Sequence, residues 1–211
     1  MIIAFDGNVF TGKTSLIEKL HIPGESEVVR EHNYFLDVTR TPKDAWSAQK
    51  GYLDAEVRRR GYLARLSREK PVLLDRSFVS MAAHVSGLKA ARGIDIRGHF
   101  LGEIVSLIRS DKIIIPDIFI FVRCDYETIK ERARKDLLKH TDELYFEQEY
   151  LEAVEHFNNL WQEYFPGRVI DTNAGLSLHL EQLILTKGAG TSHPSSYAVD
   201  DICRRLEEML T

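Results

Sequence analysis

Hydrophobic positions along the chain fall into two kinds of run. Short, dense stretches rich in Ile, Val, Leu and Phe occur at Ile2 to Phe5, Val28 to Val29, Val72 to Leu74, Ile118 to Val122 and Arg168 to Ile170. Their length and their β-branched or aromatic content predict five strands. Between them the apolar positions recur every three or four residues, which predicts helices over Lys13 to Leu20, Lys43 to Arg68, Phe78 to Ala91, Gly98 to Arg109, Tyr126 to Leu138, Glu143 to Tyr164 and Val199 to Leu210. Ile118-Phe119-Ile120-Phe121-Val122 is continuously apolar, as in a strand covered on both faces, and Pro116 stands just ahead of it, where a missing N–H does no harm. Strands alternating with helices predict an α/β fold, a parallel sheet with helices on both faces.

No repeat or linker divides the 211 residues, and 44% hydrophobic content can bury a sizeable core, so residues 1–211 are expected to form a single domain. Gly188 to Ser196 is the one low-complexity stretch and reads as a mobile surface loop before the last helix. With 28 Lys and Arg against 32 Asp and Glu, the net charge of −4 argues against nucleic acid or an anionic membrane as partner and for a small-molecule substrate. Two cysteines, Cys124 and Cys203, make no disulfide framework and suit a reducing compartment. Met1 to Phe5 lacks a charged leader region, and no apolar run approaches the roughly 20 residues that span a bilayer. A soluble, cytoplasmic protein is therefore expected. The eight histidines show no metal spacing, so zinc is not.

The chemistry begins at Gly7-Asn8-Val9-Phe10-Thr11-Gly12-Lys13-Thr14, which fits G-x-x-x-x-G-K-[ST] in full between a predicted strand and a predicted helix. Backbone N–H groups from Gly7 to Ser15 would wrap the phosphates of ATP at a helix N-terminus. Lys13 would reach the β and γ phosphates, and the Thr14 hydroxyl would take a place on Mg²⁺. Asp75-Arg76-Ser77 ends another strand at the edge where open parallel sheets bind ligands. Asp75 is the second candidate for Mg²⁺, and Arg76 for phosphate or acceptor. Arg30-Glu31 ends a third strand, with Glu31 the candidate general base and Arg30 a candidate clamp.

These three strand ends resemble those of the thymidylate kinase and deoxynucleoside kinase superfamily, and the resemblance covers nearly all of residues 1 to 172. Gly7-Asn8-Val9 with Gly12-Lys13-Thr14 is similar to the deoxynucleoside kinase loop, and Arg30-Glu31 to the Arg-Glu-Pro of thymidylate kinases, with His32 in place of the proline. Asp75-Arg76-Ser77, Ser80 and Ala83 fall on patterns of the two groups. The resemblance implies a P-loop NTPase three-layer fold, a five-stranded parallel sheet with the phosphate-loop strand central, and a helical lid at about 132–145 whose Arg132 and Arg134 close over transferring phosphates. It further implies Gln49 as a base contact, ATP and Mg²⁺ as cofactors, and commonly a homodimer. Residues 174–196 have no counterpart. Phe10 is bulky where these families carry glycine, and Met81 stands where some use an acid.

Plainer roles are expected for other residues. Of Arg58-Arg59-Arg60, at most one can point inward from a helix. Tyr145, Phe146, Tyr150, Phe157, Trp161, Tyr164 and Phe165 are spaced as core; His84, on the helix after Asp75-Arg76, could line the acceptor pocket but is expected as an ordinary packed or exposed histidine. Asp95-Ile96-Arg97-Gly98 matches a GTPase turn by letters only, without a preceding strand or an N-K-x-D segment. A nucleoside monophosphate is the expected acceptor, favoured by Arg30, Ser80 and Ala83; the alternative, a nucleoside phosphorylated on its 5′-hydroxyl, is favoured by Gly7-Asn8 and Gln49. A catalytically silent ATP-binding regulator is the reading that the departures at Phe10 and His32 leave.

Overall fold

The computed structural model describes residues 1–37, 41–135, 143–165, 168–173 and 198–211. Five strands, β1 (Ile2–Asp6), β2 (Glu27–Val29), β3 (Val72–Asp75), β4 (Ile118–Arg123) and β5 (Arg168–Asp171), form one sheet in the order β2-β3-β1-β4-β5. Every pairing is parallel, so all C-terminal strand ends lie along one edge. Phe5 pairs with both Asp75 and Ile120, which sets the ends of β1 and β3 side by side.

Side-chain alternation divides the sheet into two faces. Ile3 and Phe5, Leu73, and Ile120 and Val122 meet Leu16 and Ile17 of helix α1 (Lys13–Leu20) on one side. Ile2 and Ala4, Val72 and Leu74, and Phe119 and Phe121 face a larger core on the other. That core is filled by α2 (Ala45–Leu66), α3 (Phe78–Arg92), α4 (Arg97–Arg109), α6 (Gln148–Tyr164) and α7 (Val199–Leu210). The helix α5 (Tyr126–Lys135) follows β4. Helices on both faces of a parallel sheet are what the alternating pattern predicted.

Local chemistry fixes the element ends. α2 starts at a capping box, where the Asp44 carboxylate accepts from Ser47 N–H at 2.7 Å and Ser47 Oγ accepts from Asp44 N–H at 3.0 Å. This trims the expected start at Lys43. The predicted Glu143 to Tyr164 helix divides into a 3₁₀ turn at Glu143–Phe146 and α6, because Glu147 is extended with ψ 133°. α3 and α6 pack closely enough that a Cβ on Gly87 would lie 2.5 Å from the Tyr150 ring. No described helix is long and apolar enough to cross a membrane. The centre of the expected lid, 136–142, and the 174–196 insert with its Gly188 to Ser196 loop lie outside the described residues.

Candidate active site

The phosphate loop leaves the central strand, and two glycines shape it. Gly7 has φ 131°, and a Cβ there would fall 2.3 Å from the Val122 carbonyl oxygen; Gly12 has φ 92° and caps α1. No side chain caps that helix, so its first N–H groups remain open to an anion. Lys13 is buried, its ammonium donating to the Asn8 carbonyl and to Thr11 Oγ at 3.3 Å. Burial first, and then the neighbouring Arg76 charge, push the Lys13 amine down to about 7 against the opposing pull of Asp75 and Glu31.

Phe10 adopts φ 56°, and its ring stacks on Phe146 at a centroid distance of 5.6 Å. Its bulk is therefore taken up by the turn ahead of α6. The loop is braced from the far end of the sheet. Thr172 Oγ donates to the Thr11 carbonyl at 2.8 Å, and Arg132 donates to the carbonyls of Phe10 at 3.2 Å and Thr172 at 2.8 Å.

Thr14 Oγ donates to Asp75 Oδ2 at 2.9 Å, so the two residues expected to share a metal already touch. A hydroxyl and a carboxylate at the mouth of a phosphate loop are hard oxygen donors of the kind Mg²⁺ takes. Next to them Asp6 accepts from Ser77 N–H at 2.9 Å, Ser77 Oγ at 2.7 Å and Ser80 Oγ at 2.5 Å, tying the end of β1 to the start of α3.

Across from the loop, Arg76 Nε donates to Glu31 Oε2 at 3.1 Å and its Nη1 to the Gly7 carbonyl at 3.1 Å. One cavity of about 730 Å³ joins the loop, Thr14, Asp75, Glu31 and Arg76 to a second compartment walled by Gln49, Tyr52, Met81, His84, Tyr145 and Tyr150. Gln49 is 2% exposed and its Nε2 has no hydrogen-bond partner among the described residues, a donor left for a ligand. His84 Nδ1 lies 2.8 Å from the Tyr150 hydroxyl.

The fold is that of the nucleoside and nucleotide kinases. A deoxyadenosine kinase from M. mycoides, solved with the products dCMP and dCDP, superposes with a TM-score of 0.62 at 18% identity, over 89% of this chain and 98% of that one. The same enzyme with bound dATP gives 0.62 at 19% identity, over 90% and 100%. Thymidylate kinase from Candida albicans gives 0.59 at 17% identity, over 99% and 90%. No family model and no curated protein matches the sequence.

Within this kinase fold most of the expected residues come together. Gly7 to Phe10, Gly12 to Ser15, Glu31, Gln49, Asp75, Arg76 and Arg132 line the one cavity. Three do not. Thr11 is buried beneath the loop, its Oγ donating to the Asn8 carbonyl at 3.0 Å. Arg30 is exposed and pairs with Glu18 at 3.3 Å on the outer side of α1, and Arg134 is exposed near the end of α5, outside the cavity wall. Asp95 is away from the cavity, paired with Arg97 at 3.0 Å and Lys89 at 3.4 Å. Tyr145 and Tyr150, read as core, do pack in it but also form cavity wall.

Sequence reasoning missed a buried charge cluster behind the strand ends. Glu56 Oε2 lies 2.9 Å from both His32 Nε2 and Arg59 Nη2. Burial, and then the Arg59 charge, push the His32 imidazole below its ordinary value against the opposing pull of Glu56. Burial alone would raise the Glu56 carboxyl, but Arg59 and His32 outweigh it and hold it low. Only His32 carried a signal, standing where the resembling families have proline. Of the three adjacent arginines one does point inward, Arg59; Arg58 donates to the Phe35 carbonyl and Arg60 to Asp111.

Proposed function

We propose that the protein is an ATP-dependent kinase that phosphorylates the 5′-hydroxyl of a nucleoside. The observation that carries this is the Glu31–Arg76 pair at 3.1 Å inside the cavity that also holds the phosphate loop. Among the described residues, Lys13 is in the loop and Arg132 on α5 braces it, which leaves Arg76 as the one arginine or lysine in the wall of the acceptor compartment, and Glu31 already balances it. A monophosphate would bring in about two negative charges. With Arg30 turned out to Glu18, that compartment suits a neutral acceptor better.

In this reading the triphosphate lies along the backbone amides from Gly7 to Ser15, with Lys13 on its β and γ oxygens. Thr14 and Asp75 would hold Mg²⁺, which when bound neutralises phosphate charge. Glu31 accepts the proton of the 5′-hydroxyl as its oxygen bonds to the γ phosphorus; the bond from phosphorus to the β-bridging oxygen breaks, and ADP leaves. Arg76 and Arg132 face the charge that develops. Positioning and charge neutralisation are the main terms. Gln49 reads the base with its free Nε2.

A kinase of the same fold that yields dCMP supports the nucleoside acceptor. Ser80 and Ala83 in the cavity wall, and the thymidylate kinase of the same fold, favour the monophosphate as second reading. ADP release is measured over the common nucleosides and their 5′-monophosphates, with Lys13→Ala as control. Turnover of at least one nucleoside is expected, with Glu31→Gln lowering kcat on the order of 10²- to 10⁴-fold. Turnover of monophosphates alone would sink the nucleoside assignment; ATP binding without any turnover would favour the silent regulator.

A further inference from the structure

The buried cluster behind the strand ends, of which only His32 reaches the cavity wall, grips the residues assigned to the transfer. Arg59 is 0% exposed, and its Nη2 donates to the Arg76 carbonyl at 2.8 Å. Its Nη1 reaches the carbonyls of Arg30 at 3.3 Å and Asp75 at 3.4 Å. Glu56, three residues earlier on α2, holds Arg59 from one side and the His32 ring from the other. Arg30 and His32 flank Glu31 in the chain, so both of its neighbours are anchored to one cluster. Asp75 and Arg76 are anchored to the same guanidinium.

The backbone shows why an anchor is needed. Arg76 has φ 63°, a left-handed conformation that a non-glycine residue holds only when its surroundings impose it. The shortest Arg59 hydrogen bond ends on the carbonyl of that residue. For stability alone a buried ion pair is often replaceable by apolar side chains of similar volume. Apolar side chains could fill the space, but they could not hold three carbonyl oxygens at the ends of two strands at fixed distances.

We propose that His32, Glu56 and Arg59 form a positioning unit that sets Glu31 and Arg76 against each other for phosphoryl transfer. The proposal rests on the kinase reading of Glu31 and Arg76. Arg59→Lys keeps the charge but loses the planar fork, and Glu56→Gln keeps the shape but loses the charge. Should one fail to fold, the other carries the test.

For folded variants, ATP affinity is read by calorimetry, and kcat and KM with the nucleoside the parent protein turns over. The expected result is a fall in kcat of about tenfold to a hundredfold, with ATP affinity within about twofold of the parent. In a Glu31→Gln background the same substitution should cost far less, because it acts through Glu31. An unchanged kcat in folded protein, or full additivity with Glu31→Gln, would overturn the proposal. Should the parent turn over no acceptor at all, the kinase reading fails by itself, and crystal structures of parent and variant decide the positioning role. Arg76 is expected to leave its left-handed conformation and to lose Glu31 in the variant; an unmoved pair would refute it.

Discussion

Lys13 is the residue with the largest consequence for pH. Its amine titrates near 7 because burial and Arg76 disfavour the charged form. Phosphate oxygens reverse that balance, so nucleotide binding at pH 8 should take up a proton, and at pH 6 almost none. Calorimetry in two buffers of different ionisation enthalpy reads the uptake directly. The sign for folding follows from the same shift. Between about 7 and 10.5 the unfolded chain holds a proton that the folded protein has released. The nucleotide-free protein therefore gains stability from this group as pH rises through that window, and Lys13→Met should abolish the gain. At this scale the phosphate loop was legible in the sequence because its chemistry is local, eight consecutive residues with fixed spacing. Glu56 and Arg59 were not, since their meaning comes from partners such as Arg30, 29 positions away. Arg30 itself misled: a charged residue beside Glu31 reads as a clamp until its neighbour Glu18 on α1 is known.

Among the elements, strand and helix positions followed from periodicity, with ends shifted by a residue or two, as at the Asp44 cap. What periodicity could not find was the break at Glu147, since apolar spacing continues through it while the backbone does not. Close packing of helices was equally hidden, because a glycine in a helical pattern says nothing of what lies against it. Gly87 is such a case. Gly87→Ala would set a methyl 2.5 Å from the Tyr150 ring, and a stability loss of about 1–3 kcal/mol is expected from urea unfolding. The same shift should displace the Tyr150 hydroxyl from His84 and raise the KM for the acceptor more than that for ATP. Phe10 tests the loop itself. Phe10→Gly removes left-handed strain worth about 1–2 kcal/mol and also the stack on Phe146, changes of opposite sign for stability; because the ring packs on Phe146 and the cradle is built of backbone amides, ATP affinity should stay near that of the parent protein. A severe loss of ATP binding on that substitution would show that the Phe10 ring contributes to the cradle.

For the whole molecule, the resemblance implied the central phosphate-loop strand, whereas the residue pattern alone gave five strands without an order. The observed order sets the mouth of the cavity against β1, with β3 on one side and β4 on the other. A ligand there should stabilise the entire domain. At a concentration a hundredfold above its Kd, Mg-ATP should add about 2.7 kcal/mol, or roughly 5–10 °C in Tm for a chain of this size. Lys13→Ala should lose most of that rise, which differential scanning fluorimetry measures.

The brace from Thr172 to Thr11 also orders events during synthesis. Residues 7–14 are made before the residue whose hydroxyl supports their loop, which follows about 160 peptide bonds later. Over that interval a nascent chain carries the nucleotide motif without the support that completes it. Ribosome-tethered fragments ending before β5 should capture ATP poorly, and those extended past Thr172 should capture it well.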